Sequence, residues 1–210
     1  MAPRRANLIS VAYLVSIAMI AALATGCSTA TSHFYNLDST AVADSAPPER
    51  VSIMVGPVSI PASVDQPQFV VQVAPNRVDV DEFNRWVAPL SDSIARAVAG
   101  DLAVLLGTSD VAAGPLANFA PDYRVTIAVL RFDSIRGKSA VLEALWTVHK
   151  TAGGETRSGR TQAQQPVQGD SFEALAAAHS RALATMSADI AAAIRAQAAE
   201  KPPPAQASAR

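Results

Sequence analysis

The apolar positions of this chain fall into two regimes. From Leu8 to Ala24 they run almost unbroken, interrupted by Ser10 and Ser16 and preceded by the cations Arg4 and Arg5. A short positive start followed by such a run is the pattern of an export signal. Its length falls at the bottom of the roughly 17 to 25 residues that a bilayer-spanning helix needs, so an uncleaved anchor is the competing reading. After residue 32 the apolar residues come in short, punctuated segments, as in a folded domain.

His33, Phe34, Tyr35, Asn36 and Leu37 form a brief aromatic strand candidate, and residues 39–49, small, polar and ending in Pro47 and Pro48, predict a loop. Val51 to Ile60 alternates and predicts a strand with a bend or bulge at Gly56 and Pro57. Phe69 to Val73 predicts the next, bounded by Pro67 and Pro75, and Asn76 with Arg77 turns the chain into a short segment, Val78 to Val80. From Pro89, placed to suit a first helical turn, the period lengthens. Leu90, Ile94, Val98, Leu102 and Leu105 make one helical stripe with Asp92, Arg96 and Ala99 facing away, ending near Gly107.

Val111 to Ala113 is a short strand candidate. Tyr123, Val125, Ile127 and Val129 share one face of a strand that turns at Arg136, Gly137 and Lys138 into a second, Val141 to Val148. A third strand is predicted around Arg160 to Gln165. Asp170 and Glu173 have capping-box spacing, and Phe172, Leu175, His179, Leu183, Met186, Ile190 and Ile194 mark a long amphipathic helix. The tail beyond it, with Pro202, Pro203 and Pro204 among Ala, Gln and Ser, cannot bury enough to fold.

Two helices with one apolar stripe each need one sheet face to cover. The predicted fold is α/β (α+β): a two-layer sandwich of a mixed, mostly antiparallel sheet with two amphipathic helices on one face. The predicted organisation is a signal peptide over 1–26, a tether over 27–32, a single domain over 33–197 and a disordered tail over 198–210. The roughly 180 residues after the signal are enough for one domain with its own core.

Cys27 is the only cysteine. Leu23, Ala24, Thr25, Gly26 and Cys27 resemble the lipobox of bacterial lipoproteins, departing from it at Ala24, where an aliphatic residue is usual. The resemblance implies cleavage before Cys27 and its covalent modification by diacylglyceryl and N-acyl lipid, with fatty chains such as palmitate. It also disposes of a free exported thiol that would have no intramolecular partner. Several acyl chains hold a protein stably where one gives marginal binding, since each buried methylene contributes about 0.8 kcal/mol. In lipoproteins of enterobacterial type, Asp after the cysteine favours the inner membrane; here Ser28 favours the outer membrane, facing the periplasm, with the inner membrane as the alternative.

Removing Arg4 and Arg5 with the signal takes the formal charge from −1 to −3, so nothing attracts nucleic acid. No Gly-x-Ser-x-Gly elbow, His-Glu-x-x-His pair or Walker-type loop occurs, so no catalytic residue is proposed and the chain is not expected to be an enzyme. His33, His149 and His179 lack ligand spacing, so no metal is expected. His179, on an apolar helical stripe, reads as a hydrogen-bonded core residue.

The motifs His33 to Leu37, Val55-Gly56-Pro57-Val58 followed by Ile60-Pro61, Pro67 to Val71, Arg85-Trp86-Val87-Ala88-Pro89-Leu90 and Arg131-Phe132-Asp133, with the strand holding Trp146 and the final helix, resemble in order and spacing the PqiC family. These are auxiliary lipoproteins of ABC-type transport systems that work with MCE proteins. The resemblance covers nearly all the chain after the signal. It implies a non-enzymatic accessory subunit for lipid trafficking between the membranes, whose partners are an MCE-domain protein and an ABC permease complex, with a homo-oligomer as a further expectation. Tyr35, Trp86 and Pro89 are the candidate partner or lipid contacts, although Trp86 is as well suited to plugging the end of a core. An independent periplasmic lipid carrier and a structural envelope-assembly lipoprotein remain open.

Overall fold

The computed structural model describes residues 30–200; the signal segment, Cys27 and the tail from 201 to 210 lie outside the described residues. Strands β1 (His33–Tyr35), β2 (Ile53–Ser59), β3 (Gln68–Ala74) and β4 (Arg77–Trp86) precede helix α1 (Leu90–Leu106). Strands β5 (Val111–Ala113), β6 (Tyr123–Ile135), β7 (Ser139–Lys150) and β8 (Thr156–Pro166) precede helix α2 (Phe172–Ala199). The strands form one eight-stranded sheet.

Strand β6 organises that sheet. It pairs with β7 along its whole length, from Tyr123 opposite Lys150 to Ile135 opposite Ser139, through the predicted turn at Gly137. Its other edge is shared: β2 takes the first half, from Ile53 opposite Tyr123 to Ser59 opposite Ala128, and β3 meets the far end, where Val71 stands opposite Ser134. A register shift between Val129 and Arg131 inserts Leu130, so the inward side changes from Tyr123, Val125, Ile127 and Val129 to Phe132 and Ser134. The sheet is mixed. Its long ladders β3–β4, β6–β7 and β7–β8 are antiparallel, while β1–β4, β2–β5, β2–β6 and β3–β6 are parallel.

Both helices lie on one face, α1 over β2 and β5, α2 over β7 and β8, and each against the other. The stripes are buried as predicted: Ile94, Val98, Leu102, Leu175, His179, Leu183, Met186, Ile190 and Ile194 have no exposed surface. Helix α1 hides a wider arc than one stripe, because α2 covers its flank as the sheet covers its base. Ala99, expected to face outward, is therefore buried, and Leu106 is more deeply buried than Leu105.

Three local expectations change. The short segment Val78 to Val80 grows into the ten-residue β4. Most of it is exposed, so its pattern lacks the alternation of a half-buried strand. Pro89 stands at the N-cap of α1, one place before the helix, and makes no side-chain cap. Helix α2 is capped by Ser171, whose Oγ accepts from the Ala174 N–H at 3.1 Å, and not by Asp170, which lies 3.5 Å from Arg136 instead. The Phe172 ring enters the core and sets the first helical turn one residue later than the acidic spacing suggests. The predicted bulge at Gly56 and Pro57 is present: β2 slips register there, Gly56 takes a positive φ of 123°, and the Gly56–Pro57 peptide is cis.

Gly159 of β8 sits opposite Trp146 of β7, and the indole lies across it where a Cβ would overlap the ring. The ring is held by Nε1 donating to Thr161 Oγ1 at 3.0 Å, and Thr161 donates onward to Asp189 Oδ2 of α2 at 2.5 Å. Gly159→Ala therefore displaces a buried aromatic that ties two strands to a helix. Urea unfolding of the variant is expected to show a loss of about 1 to 3 kcal/mol, the usual cost of overpacking; an unchanged midpoint would contradict this packing.

Candidate functional site

The predicted contact residues converge at one end of the sheet. The parallel ladder of β1 on β4 sets Tyr35 opposite Trp86, and Pro89 follows at the start of α1. Trp86 is only 5% exposed. Its ring lies 4.0 Å from Phe69, centroid to centroid, and 6.2 Å from Phe132, with Tyr35 and Phe172 against Phe69 at 5.5 and 5.2 Å. Trp86 is thus a core plug. Its remaining edge, with Pro67, Val87 and the exposed Pro89, lines an open depression of about 350 Å³ with Asp65 and Gln66 at the rim.

Tyr35 donates to Asn84 Oδ1 at 2.7 Å, and burial, with Glu173 and Asp81 nearby, raises its hydroxyl above the ordinary range. In the bulge of β4, Asp81 Oδ1 accepts from the N–H groups of Phe83 and Asn84 at 3.0 and 2.9 Å and from Asn84 Nδ2 at 2.9 Å. Burial by itself would push the Asp81 carboxyl up. These bonds outweigh it, and the group titrates below its usual value.

Beneath this end, His179 stacks on Phe132 at 3.8 Å and shares a 2.8 Å hydrogen bond between Nε2 and Ser134 Oγ. A serine and a histidine at that distance invite comparison with a nucleophile and its base. Both are closed to solvent, at 2% and 0% exposure. Burial depresses the imidazole to about 3, so it is neutral in the folded protein. Among the described residues, no three His, Cys, Asp or Glu side chains gather where they could hold a metal ion.

The sequence does not single out Asp101. The segment from Asn36 to Arg50 crosses the seam between the helices as a strap, and the Asp101 carboxylate, with no exposed surface, holds it. Oδ1 accepts from Ser39 Oγ at 2.8 Å and from the Thr40 and Ala41 N–H groups at 2.9 Å each; Oδ2 accepts from Ser187 Oγ of α2 at 3.0 Å. Further along, Arg195 donates twice to Asp44, at 2.7 and 3.0 Å, and holds its carboxyl below the usual range. Gly100 lets the strap approach: a Cβ there would come within 2.9 Å of Ser39 Cβ. The available signal was an acid embedded in the small, apolar run Ala97 to Leu102 of an amphipathic helix.

The model of the ABC-type transport auxiliary lipoprotein component matches residues 35–191, from β1 through most of α2. The chain belongs to this family. Two crystal structures resemble this auxiliary lipoprotein in fold. One is of an uncharacterized protein, 19% identical, with a TM-score of 0.64. The other is of protein XCC0632 from Xanthomonas campestris, of the family model DUF330, 20% identical with a TM-score of 0.62. Each alignment covers 79% of this chain and 99% of the other. No curated protein matches the sequence. The family match spans Tyr35, the strap, Trp86 and Asp101.

Two measurements test this geometry. With a value of about 3 when folded and 6.5 when free, His179 takes up a proton on unfolding at any pH between them. Its contribution is complete well above pH 6.5 and is lost as the pH falls through 6.5 towards 3, with a slope that approaches about 1.4 kcal/mol per pH unit near pH 5. Unfolding free energies measured from pH 6.5 down to about 5, above the main carboxylate range, should show this slope in the native protein and a flatter one in His179→Gln. Separately, Asp101→Ala should cost about 3 kcal/mol or more, because several donors lose a charged acceptor. It should also speed hydrogen exchange of the Thr40 and Ala41 amides selectively; amides as protected as before would show that Asp101 does not hold the strap.

Proposed function

We propose that this auxiliary lipoprotein is a lipid-anchored, periplasmic accessory subunit of an MCE-type ABC transport system for lipid trafficking between membranes. The observation that carries the reading is the family match over residues 35–191. Behind it stands the export signal ending at the sole cysteine, which fits acylation of Cys27 by diacylglyceryl and N-acyl chains. Ser28 favours the outer membrane. The role is non-enzymatic: the domain docks an MCE protein and its permease complex, either as one copy or as a homo-oligomer, and Tyr35 and Pro89 at the open aromatic end are candidate contacts.

An independent lipid carrier is the weaker reading. A carrier needs an enclosed apolar cavity, whereas Phe69, Trp86, Phe132 and Phe172 fill the end of this core with one another. The depressions that line this surface are open, among them one of about 480 Å³ between the Gly56-Pro57 bulge, α1 and Gly114.

The test has two arms. Cells fed labelled palmitate should incorporate it into the native protein and not into Cys27→Ser, which should leave the membrane fraction. Detergent extraction and pull-down of the native protein should recover an MCE-domain protein. Recovery of none, under conditions that keep a known MCE complex together, would remove the proposed partnership while leaving the anchor standing.

A further inference from the structure

The edge of the sheet formed by β1 and β4 has a second face, turned away from the helices. Alternation along a strand sends successive side chains to opposite faces. Tyr35, Asn84 and Trp86 point to the helix side, where Tyr35 meets Asn84 and Trp86 enters the core. By that alternation Phe34 and Arg85, opposed in register, and Val87 lie on the other side, and Phe83, beside the β4 bulge, is exposed next to them. Phe34 stands opposite Arg85, with Phe83 and Val87 two residues to either side, and the Val87 N–H continues the ladder onto Tyr35 O at 2.9 Å. Phe34, Phe83 and Val87 are 62%, 47% and 59% exposed. Single exposed apolar residues need no explanation, but a cluster with two aromatic rings at one sheet edge does.

Its position supplies the explanation. The patch lies at the strand that receives the tether, and Cys27 stands only about six residues before His33, a reach of roughly 20 Å even when fully extended. Some 5 to 8 Å of that reach is used in crossing the headgroup layer from the hydrocarbon boundary where acyl chains begin. The edge of β1 is left within roughly 15 Å of the bilayer surface by the same contour bound. Aromatic rings are suited to the headgroup level, and a guanidinium to lipid phosphates. Arg85 is steadied by its Nε donating to Glu82 O at 2.8 Å.

Resting on the anchor reading above, we propose that Phe34, Phe83 and Val87 sit in the headgroup layer of the membrane that holds Cys27, with Arg85 meeting lipid phosphates. The domain is then held in one orientation and does not swing on its tether. Glu82, 64% exposed beside Arg85, offsets its charge, so the contact depends on apolar burial and changes little with the content of anionic lipid.

The test uses the full-length protein, purified with its lipid and reconstituted into vesicles of phosphatidylethanolamine and phosphatidylglycerol carrying brominated phosphatidylcholine as quencher. Tryptophan is placed by Phe34→Trp and Phe83→Trp at the patch, and by Val42→Trp on the strap as a control; the native Trp86 and Trp146, both buried, set the background. Intact mass of each sample establishes whether Cys27 carries lipid. Lipidated protein should lose most of the added emission at positions 34 and 83, with a blue shift, and none at 42. Lipidated protein whose emission at 34 and 83 is as unquenched as at 42 overturns the membrane contact while the anchor survives, and leaves the patch to a protein partner. A mass without lipid overturns the anchor reading and this proposal together.

Discussion

Because β7 occupies one edge of β6 from end to end, β2 and β3 have to share the other, and the rest of the structure depends on that division. The first half of β6 leads through β2 to β5 and supports α1; the far end leads through β3 to β4 and β1. The inserted Leu130 makes this workable. It moves the inward positions from odd to even residues, so that Val129 and Phe132 both reach the core and Ser134 reaches His179. Without the shift, Arg131 and Asp133, which pair with each other on the surface, would be directed inward.

The helix layer is closed by the N-terminal strap, and its chemistry explains why a buried carboxylate is tolerated in α1. A lone buried charge is expensive, but Asp101 accepts hydrogen bonds on both oxygens from the strap and from α2, which satisfies it. The same bonds join the segment after β1 to both helices.

At the aromatic end, the two faces of one strand pair carry different tasks. Tyr35 and Trp86 contribute to a filled core on the inner side, while Phe34, Phe83 and Val87 are exposed. The filled inner side suits a docking subunit better than a container, since aromatic rings packed at these distances leave no room for an acyl chain.

Much of the fold was legible in the sequence. The stripes of α1 and α2, the hairpin at Gly137, the bulge at Gly56 and Pro57 and the αL cap at Gly107 all express local rules of period and backbone freedom that no neighbour can alter. The sole cysteine was likewise plain in the order of residues. The tertiary structure decided what depends on distant partners. It made β4 long although its exposed residues lack alternation, buried Ala99 by placing α2 beside it, moved the cap of α2 to Ser171 to seat Phe172, and placed Trp86 in the core, one of the two positions the sequence left open for it. Asp101 shows the reason: its partners Ser39 and Ser187 lie 62 and 86 residues away, and no pattern along the chain reports a hydrogen bond that folding alone brings within reach.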